Sequence, residues 1–166
     1  MLFVARFRED ARMPICSHPG EDLGYDIFAL DDVEVDPFSV TKVRTGIAAQ
    51  YSPWGERPEW IGKDRYGLLV KDRGSMAAAG LFTVGGVIDA SYTGEIIVMF
   101  RNVGQAVIDI HAHEKIAQLV PIKVLTSAVV RELAIGECFP FLTRGERGFG
   151  SSDHAEPITV MRTIVA

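Results

Sequence analysis

The sequence predicts an all-β domain. Three observations carry that prediction. Short runs of alternating apolar and polar residues recur along the chain. Glycine and proline punctuate them at close intervals, and only one stretch tolerates a helix. The chain has 166 residues, which suits one domain able to bury roughly two thirds of its unfolded surface. A hydrophobic content of 48% marks a globular protein and excludes a disordered one. A net charge of -5 argues against binding nucleic-acid polymers, although basic residues clustered locally could still hold a small anion. The two cysteines, Cys16 and Cys138, stand far apart without metal-ligand spacing and read as reduced thiols of a cytoplasmic protein. The N-terminal apolar run is too short and too charged for a signal peptide, and no stretch is long enough to span a membrane.

Taken in order, Leu2 to Phe7 predicts a strand that ties down the N-terminus. Pro14 and His18-Pro19-Gly20 mark loops. Tyr25 and Ile27 alternate with Asp26 as on a strand, and Gly24 permits an unusual backbone angle just before it. Asp26 alone reads as a turn or edge-strand aspartate. Val33 to Tyr51 alternates, with a break at Pro37. Ser52 to Arg65 holds Pro53, Trp54, Pro58 and Trp60 among charges, which predicts a long hairpin loop with its tryptophans folded back. Tyr66 to Lys71 is another strand. Asp72 to Gly80 then predicts one or two helical turns: serine, methionine and three alanines tolerate helix, and Gly80 stops it. Arg73 and Ser75 at its start could hold an anion, or Arg73 could be an ordinary ion-pair partner.

Gly85-Gly86-Val87-Ile88-Asp89-Ala90-Ser91-Tyr92-Thr93-Gly94-Glu95-Ile96 is the stretch that organises the rest. Two β-branched residues predict a short buried strand, and Glu95 to Arg101 the strand after it. The pair reads as a β-hairpin with a carboxylate and an aromatic ring at its tip beside open glycine backbone. Asp89 could position or deprotonate water, or simply bond within its turn. Val107 to Ile110 and Lys115 to Pro121 are further strands, the second carrying Gln118 as its polar residue among apolar ones. His111, His113 and Glu114 fall short of a zinc site because no further ligands stand at suitable spacing. Val124 to Ile135 predicts a last β segment. Arg144-Gly145-Glu146-Arg147-Gly148-Phe149-Gly150-Ser151-Ser152 cannot form a core. Its glycine amides, hydroxyls and guanidinium groups are phosphate donors, and Phe149 offers a face to a base. No function is legible in His154 to Ala166.

Five of these stretches, in order, resemble the motifs of the trimeric dUTPases, the deoxyuridine triphosphate nucleotidohydrolases. Leu23-Gly24-Tyr25-Asp26-Ile27 resembles A-G-x-D-L, with Leu23 for alanine. Arg73-Gly74-Ser75-Met76-Ala77 resembles R-S-[GS]-[LM]-A, with Gly74 for serine. The organising stretch resembles G-V-I-D-x-x-Y-R-G-E-I, with Thr93 for arginine. His113 to Val120 resembles G-x-x-I-A-Q-L-V, with His113 for the leading glycine. The tail resembles R-G-x-x-G-F-G-S-[ST]. The resemblance covers about Leu23 to Ser152.

It implies a distorted jelly roll and a homotrimer whose chains share each site. It also implies Mg²⁺-dependent hydrolysis of dUTP to dUMP and pyrophosphate, which limits uracil in DNA and supplies dUMP for dTMP synthesis. By that resemblance Asp89 is the base that orients water, Gln118 lies near the α-phosphate, and Asp26 orders the water shell of Mg²⁺. Arg73, Gly74 and Ser75 meet the triphosphate. Tyr92 underlies the sugar, and main-chain groups of Val84, Gly86, Val87 and Ile88 read the uracil edge. Arg144 holds the γ-phosphate, Phe149 stacks on uracil, and Gly150, Ser151 and Ser152 complete a lid. The chain then divides into a jelly roll over 1–142, a lid over 143–152 and an extension over 153–166. Two alternatives share the fold. A dCTP deaminase would carry a glutamate on the strand after the hairpin, where Ile96-Ile97-Val98-Met99-Phe100 has no acid. A non-catalytic nucleotide sensor would retain binding without turnover.

Overall fold

The computed structural model describes residues 1–53, 55 and 64–125. Eleven strands and one short helix occupy the described residues. In order they are β1 (Leu2–Arg6), β2 (Tyr25–Phe28), β3 (Val33–Val35), β4 (Val40–Arg44), β5 (Ile47–Tyr51), β6 (Tyr66–Asp72), α1 (Gly74–Ala78), β7 (Leu81–Val84), β8 (Val87–Ile88), β9 (Ile97–Asn102), β10 (Ile108–Ile110) and β11 (Lys115–Lys123). The all-β expectation holds. Where the sequence alternates, the sheet does too: in β9, Val98, Phe100 and Asn102 are buried, while Ile97 and Arg101 face out.

Two larger sheets organise the core, one in the order β2-β11-β6-β8 and one in the order β4-β9-β7, with the pairs β1-β5 and β10-β3 completing the set. Ile27, Leu68, Val70, Ile116 and Leu119 of the first sheet meet Val43, Leu81, Val98 and Phe100 of the second in one apolar cluster. Such side chains contribute about 1.5–3 kcal/mol each when fully buried. Asn102 is a fully buried polar residue beside this cluster. Its amide donates to the carbonyls of Val35 (2.9 Å) and Ala106 (2.8 Å) and accepts from the Gly104 N–H (2.8 Å). A buried amide so satisfied fixes the chain on both sides of it.

Three expectations need correction. Ser52 to Arg65 does not close a hairpin, because the flanking strands β5 and β6 lie in different sheets. The rings of Tyr51 and Tyr66, edge to face with centroids 5.3 Å apart, hold the ends of this connection together, while its tryptophans lie outside the described residues. The organising stretch is not a hairpin either. β8 pairs with β6, whereas β9 pairs with β4 and β7. The chain leaves the second sheet after β7, adds β8 to the edge of the first, and returns as β9. Val87, on that edge strand, is 71% exposed and not buried. Backbone contact drives the excursion: the Val70 N–H donates to the Gly86 carbonyl at 2.7 Å. A Cβ on Gly86 would stand 2.5 Å from the Val70 carbonyl oxygen, so only glycine fits. The strand expected over Val124 to Ile135 does not include Val124 and Leu125, and the rest of it lies outside the described residues.

One departure from the motif pattern finds its physical reason here. His113, where the fourth motif has glycine, holds a left-handed backbone with φ 66. Its N–H donates to the Ala29 carbonyl (2.8 Å), and its buried Nδ1 has no partner. The turn demands a conformation natural to glycine, and the histidine adopts it at a cost of roughly 1–2 kcal/mol.

Candidate functional site

Asp26 on β2 and Gln118 on β11 stand opposite each other in register. Arg73 follows the end of β6, on the other side of β11, and leads into α1. Its side chain reaches across: Nε donates to Asp26 Oδ1 at 3.0 Å and Nη1 to the Lys115 carbonyl at 3.3 Å. Lys115, on β11, places Nζ 3.0 Å from Asp26 Oδ2. One carboxylate, 13% exposed, therefore holds two cations, and the cluster carries one net positive charge. The position of Lys115 within the fourth motif is variable, and the sequence reading passed over it. Only the fold, by setting β2 beside β11, gives it a partner.

A cavity of about 230 Å³ opens on this cluster, lined among others by Asp26, Arg73, Gln118, Gly24 and Leu23. Gly24 is buried under the Leu119 carbonyl, and Leu23 beside it is 84% exposed. Gly74 and Ser75 open α1 immediately after Arg73 and are both exposed. A Cβ on Gly74 would meet nothing within 4 Å, so the missing serine leaves open space and no distortion. Asp72, just before Arg73, accepts the Thr83 N–H and pins the start of the helical turn to β7.

The second group of residues sits elsewhere. Val84 ends β7, and Gly86, Val87, Ile88 and Asp89 follow along and beyond β8. Asp89 is exposed, and its carbonyl accepts the Tyr92 N–H at 3.0 Å, closing the turn. The Tyr92 ring folds over Gly94 and its hydroxyl donates to the Glu95 carbonyl at 3.0 Å. A Cβ on Gly94 would lie 2.5 Å from that hydroxyl, which explains the glycine. Glu95 then anchors the turn: it accepts from Arg44 Nη2 (3.0 Å) and from the Gly46 N–H (2.8 Å). Beside Tyr92 and Thr93 lies a concavity of about 380 Å³, floored by Val4, Ala48 and Gln50.

The first group gathers around edge strand β2 and its neighbour β11, and the second extends from the opposite edge strand, β8. Ile88 pairs with Leu68, and Leu68 with Pro121, three residues along β11 from Gln118. Two strand spacings and three residues separate Ile88 from Gln118 by about 14 Å. One chain thus brings Asp26, Arg73 and Gln118 together and keeps Asp89 and Tyr92 away from them. Arg144, Phe149, Gly150, Ser151 and Ser152 lie outside the described residues.

Comparison with known proteins gives the family. The dUTPase family model matches residues 10–153. The chain belongs to the dUTPase family. A deoxyuridine 5'-triphosphate nucleotidohydrolase of Rhodococcus erythropolis is 36% identical over 154 residues, covering 91% of this chain and 85% of that protein. One from Clostridium kluyveri is 33% identical over 154 residues, covering 91% and 96%. Among solved structures, a variant of the Staphylococcus bacteriophage 80alpha dUTPase with dUpNHpp superposes with a TM-score of 0.72 at 25% identity, covering 92% of this chain and 98% of that one. The jelly-roll architecture expected from the motifs is therefore the family's.

Proposed function

We propose that this chain is a dUTP diphosphatase that hydrolyses dUTP to dUMP and pyrophosphate, with sites shared between the chains of a homotrimer. The observation that carries the reading is the split site. Arg73, Lys115 and Gln118 offer donors to a triphosphate around the Asp26 cavity, and Asp89 and Tyr92 follow Ile88, whose backbone stands about 14 Å from Gln118. A neighbouring chain's Asp89 turn, docked over the Asp26 cavity, would complete each site, and cyclic closure of three such contacts satisfies every chain equally.

In that assembly Arg73 binds the triphosphate with a charge-assisted fork, and Ser75 and the Gly74 N–H line its path. Gln118 orients the α-phosphate region. The Asp89 carboxylate holds the attacking water in line and takes its proton as the bond to phosphorus forms, a contribution of about 10²- to 10⁴-fold. Tyr92 covers the deoxyribose face and leaves no room for a 2′-hydroxyl. Main-chain groups of Val84, Gly86, Val87 and Ile88 pair with the uracil edge. Arg144 and Phe149, with Gly150, Ser151 and Ser152, close over the γ-phosphate and base as a lid (143–152) on the 1–142 domain, and 153–166 extends beyond it.

Mg²⁺ fits the residues present. Asp26 is a hard oxygen donor whose two oxygens each keep a free lone pair beside Arg73 and Lys115. No cluster of three or more His, Cys, Asp or Glu able to cage a metal exists among the described residues. Mg²⁺ tends to keep its waters and bind phosphates, so an ion carried by the substrate, with Asp26 accepting from its waters, suits this donor set. When bound, it neutralises charge on the phosphates. Among the described residues no helix is long and apolar enough to cross a membrane. A cytoplasmic setting rests on the unpaired thiol of Cys16.

The test is direct: incubate the full chain with each deoxynucleoside triphosphate and Mg²⁺, and identify products. Release of dUMP and pyrophosphate from dUTP supports the proposal. Deamination of dCTP would point to the sister activity of the fold, and tight binding of dUTP without turnover to a sensor.

A further inference from the structure

The loop before β2 brings a histidine and an aspartate that belong to none of the five motifs to the rim of the Asp26 cavity. Ser17, His18 and Asp22 line that cavity together with Asp26, Arg73 and Gln118. Asp22 grips His18 twice: Oδ2 accepts the His18 N–H at 2.8 Å, and Oδ1 stands 3.3 Å from the ring Nδ1. The loop is closed by two further bonds, from the N–H groups of Glu21 (3.0 Å) and Asp22 (2.9 Å) to the His18 carbonyl. Backbone and ring bonds from His18 hold the Asp22 carboxyl below the usual carboxylate range, so it is charged at neutral pH.

These contacts fix which ring nitrogen is free. A carboxylate on Nδ1 selects the tautomer with its proton there, which leaves Nε2 uncommitted. The ring is 69% exposed, unlike the half-buried cations around Asp26, and so is open to a ligand entering from solvent. The charged groups facing the cavity are Asp22, Asp26 and Arg73, with Lys115 on the far oxygen of Asp26. Arg73 and Lys115 each give part of their donor capacity to Asp26. A polyanion in this cavity therefore gains from a further donor at the rim, and His18 is one.

We infer that His18, oriented by Asp22, is a further substrate-contacting residue of this site and donates from Nε2 to the outer phosphates of the nucleoside triphosphate. The inference rests on the reading that this cavity takes the triphosphate. With Nδ1–H given to Asp22, Nε2 donates only when the ring carries its second proton. The contact made by the doubly protonated ring is a charge-assisted one.

The experiment measures steady-state kinetics with dUTP and Mg²⁺, and calorimetric binding of dUTP, on the full chain. His18→Ala should weaken dUTP binding and raise KM about tenfold. kcat should change by less than about twofold. His18→Lys should restore tight binding, because it keeps a cation at this position, whereas a purely structural histidine would gain nothing from lysine. The inference is overturned if His18→Ala binds dUTP as tightly as the unmodified chain, or if His18→Lys fails to rescue. Failure of the hydrolase reading looks different: the unmodified chain would release no dUMP, while the calorimetric comparison would still decide the role of His18.

Discussion

The Asp26 cluster and the Asp89 turn come from equally recognisable motifs, yet they are built in opposite ways. Around Asp26, charges are already paired: two cations and a carboxylate interlock across three strands, with side chains 13–35% exposed. Around Asp89, the carboxylate stands in solvent, and the rigidity lies behind it, in Gly86 against β6 and in Glu95 bound to Arg44 and Gly46. The first arrangement is a preformed charge cluster whose electrostatic order comes with folding. The second is a stiff projection whose chemistry depends on the surface it meets. Substitutions in the first should disturb stability and function together, and those in the second function alone.

The largest separation is expected for Asp89→Asn. Turnover of dUTP should fall at least about 10²-fold while dUTP still binds and the melting temperature holds. Near-normal turnover would remove Asp89 from the mechanism. Arg73→Ala should behave differently. It leaves Asp26 with Lys115 alone, so the melting temperature should drop along with dUTP affinity, by about 1–3 kcal/mol in stability. Thermal melts and binding on the same samples check this, and an unchanged melting temperature would contradict the preformed-site account.

Next come the tail residues. Phe149→Ala should weaken dUTP binding by about 1–3 kcal/mol, the usual worth of base stacking. Arg144→Ala should weaken discrimination of dUTP over dUDP. Neither should shift the melting temperature of the empty protein. A large loss of stability with unchanged catalysis would make the tail a structural arm. The smallest effect is expected at His113→Gly, away from the Asp89 turn. Relief of the left-handed backbone should stabilise the fold by about 1 kcal/mol, or about 2–4 °C in melting temperature, with turnover unchanged.

How much of this was legible beforehand follows the same division. Alternation and glycine spacing gave most of the strands, because burial on one face of a strand leaves a period of two in the sequence, but not the exposure of Val87 or the end of β11 before Val124. Asp26, Arg73 and Gln118 could be named from their motifs, but their convergence could not, since it depends on β2 lying beside β11. Lys115 was missed for the same reason: a lysine between apolar residues has no visible partner until the register is known. The hairpin reading of Gly85 to Arg101 failed because turn residues announce a reversal without saying which sheet the chain joins next. The contact that decides it is the Val70–Gly86 backbone bond, which links residues 16 apart and leaves only a glycine as its trace. His113 shows the converse, a demanding backbone conformation concealed by an unexpected side chain.

The central claim is that one chain supplies the Asp26–Arg73 half of a site and another supplies Asp89. Complementation tests it most directly. Asp89→Asn and Arg73→Ala chains, each inactive as a homotrimer, are mixed in equal amounts, unfolded, refolded together and assayed with dUTP and Mg²⁺. Sites shared between neighbours predict recovery of about a quarter of the unmodified activity, since a quarter of randomly formed sites pair an intact Arg73 with an intact Asp89 from the next chain. No recovery from mixed trimers that have demonstrably formed would place both groups in the same chain's site and contradict the account.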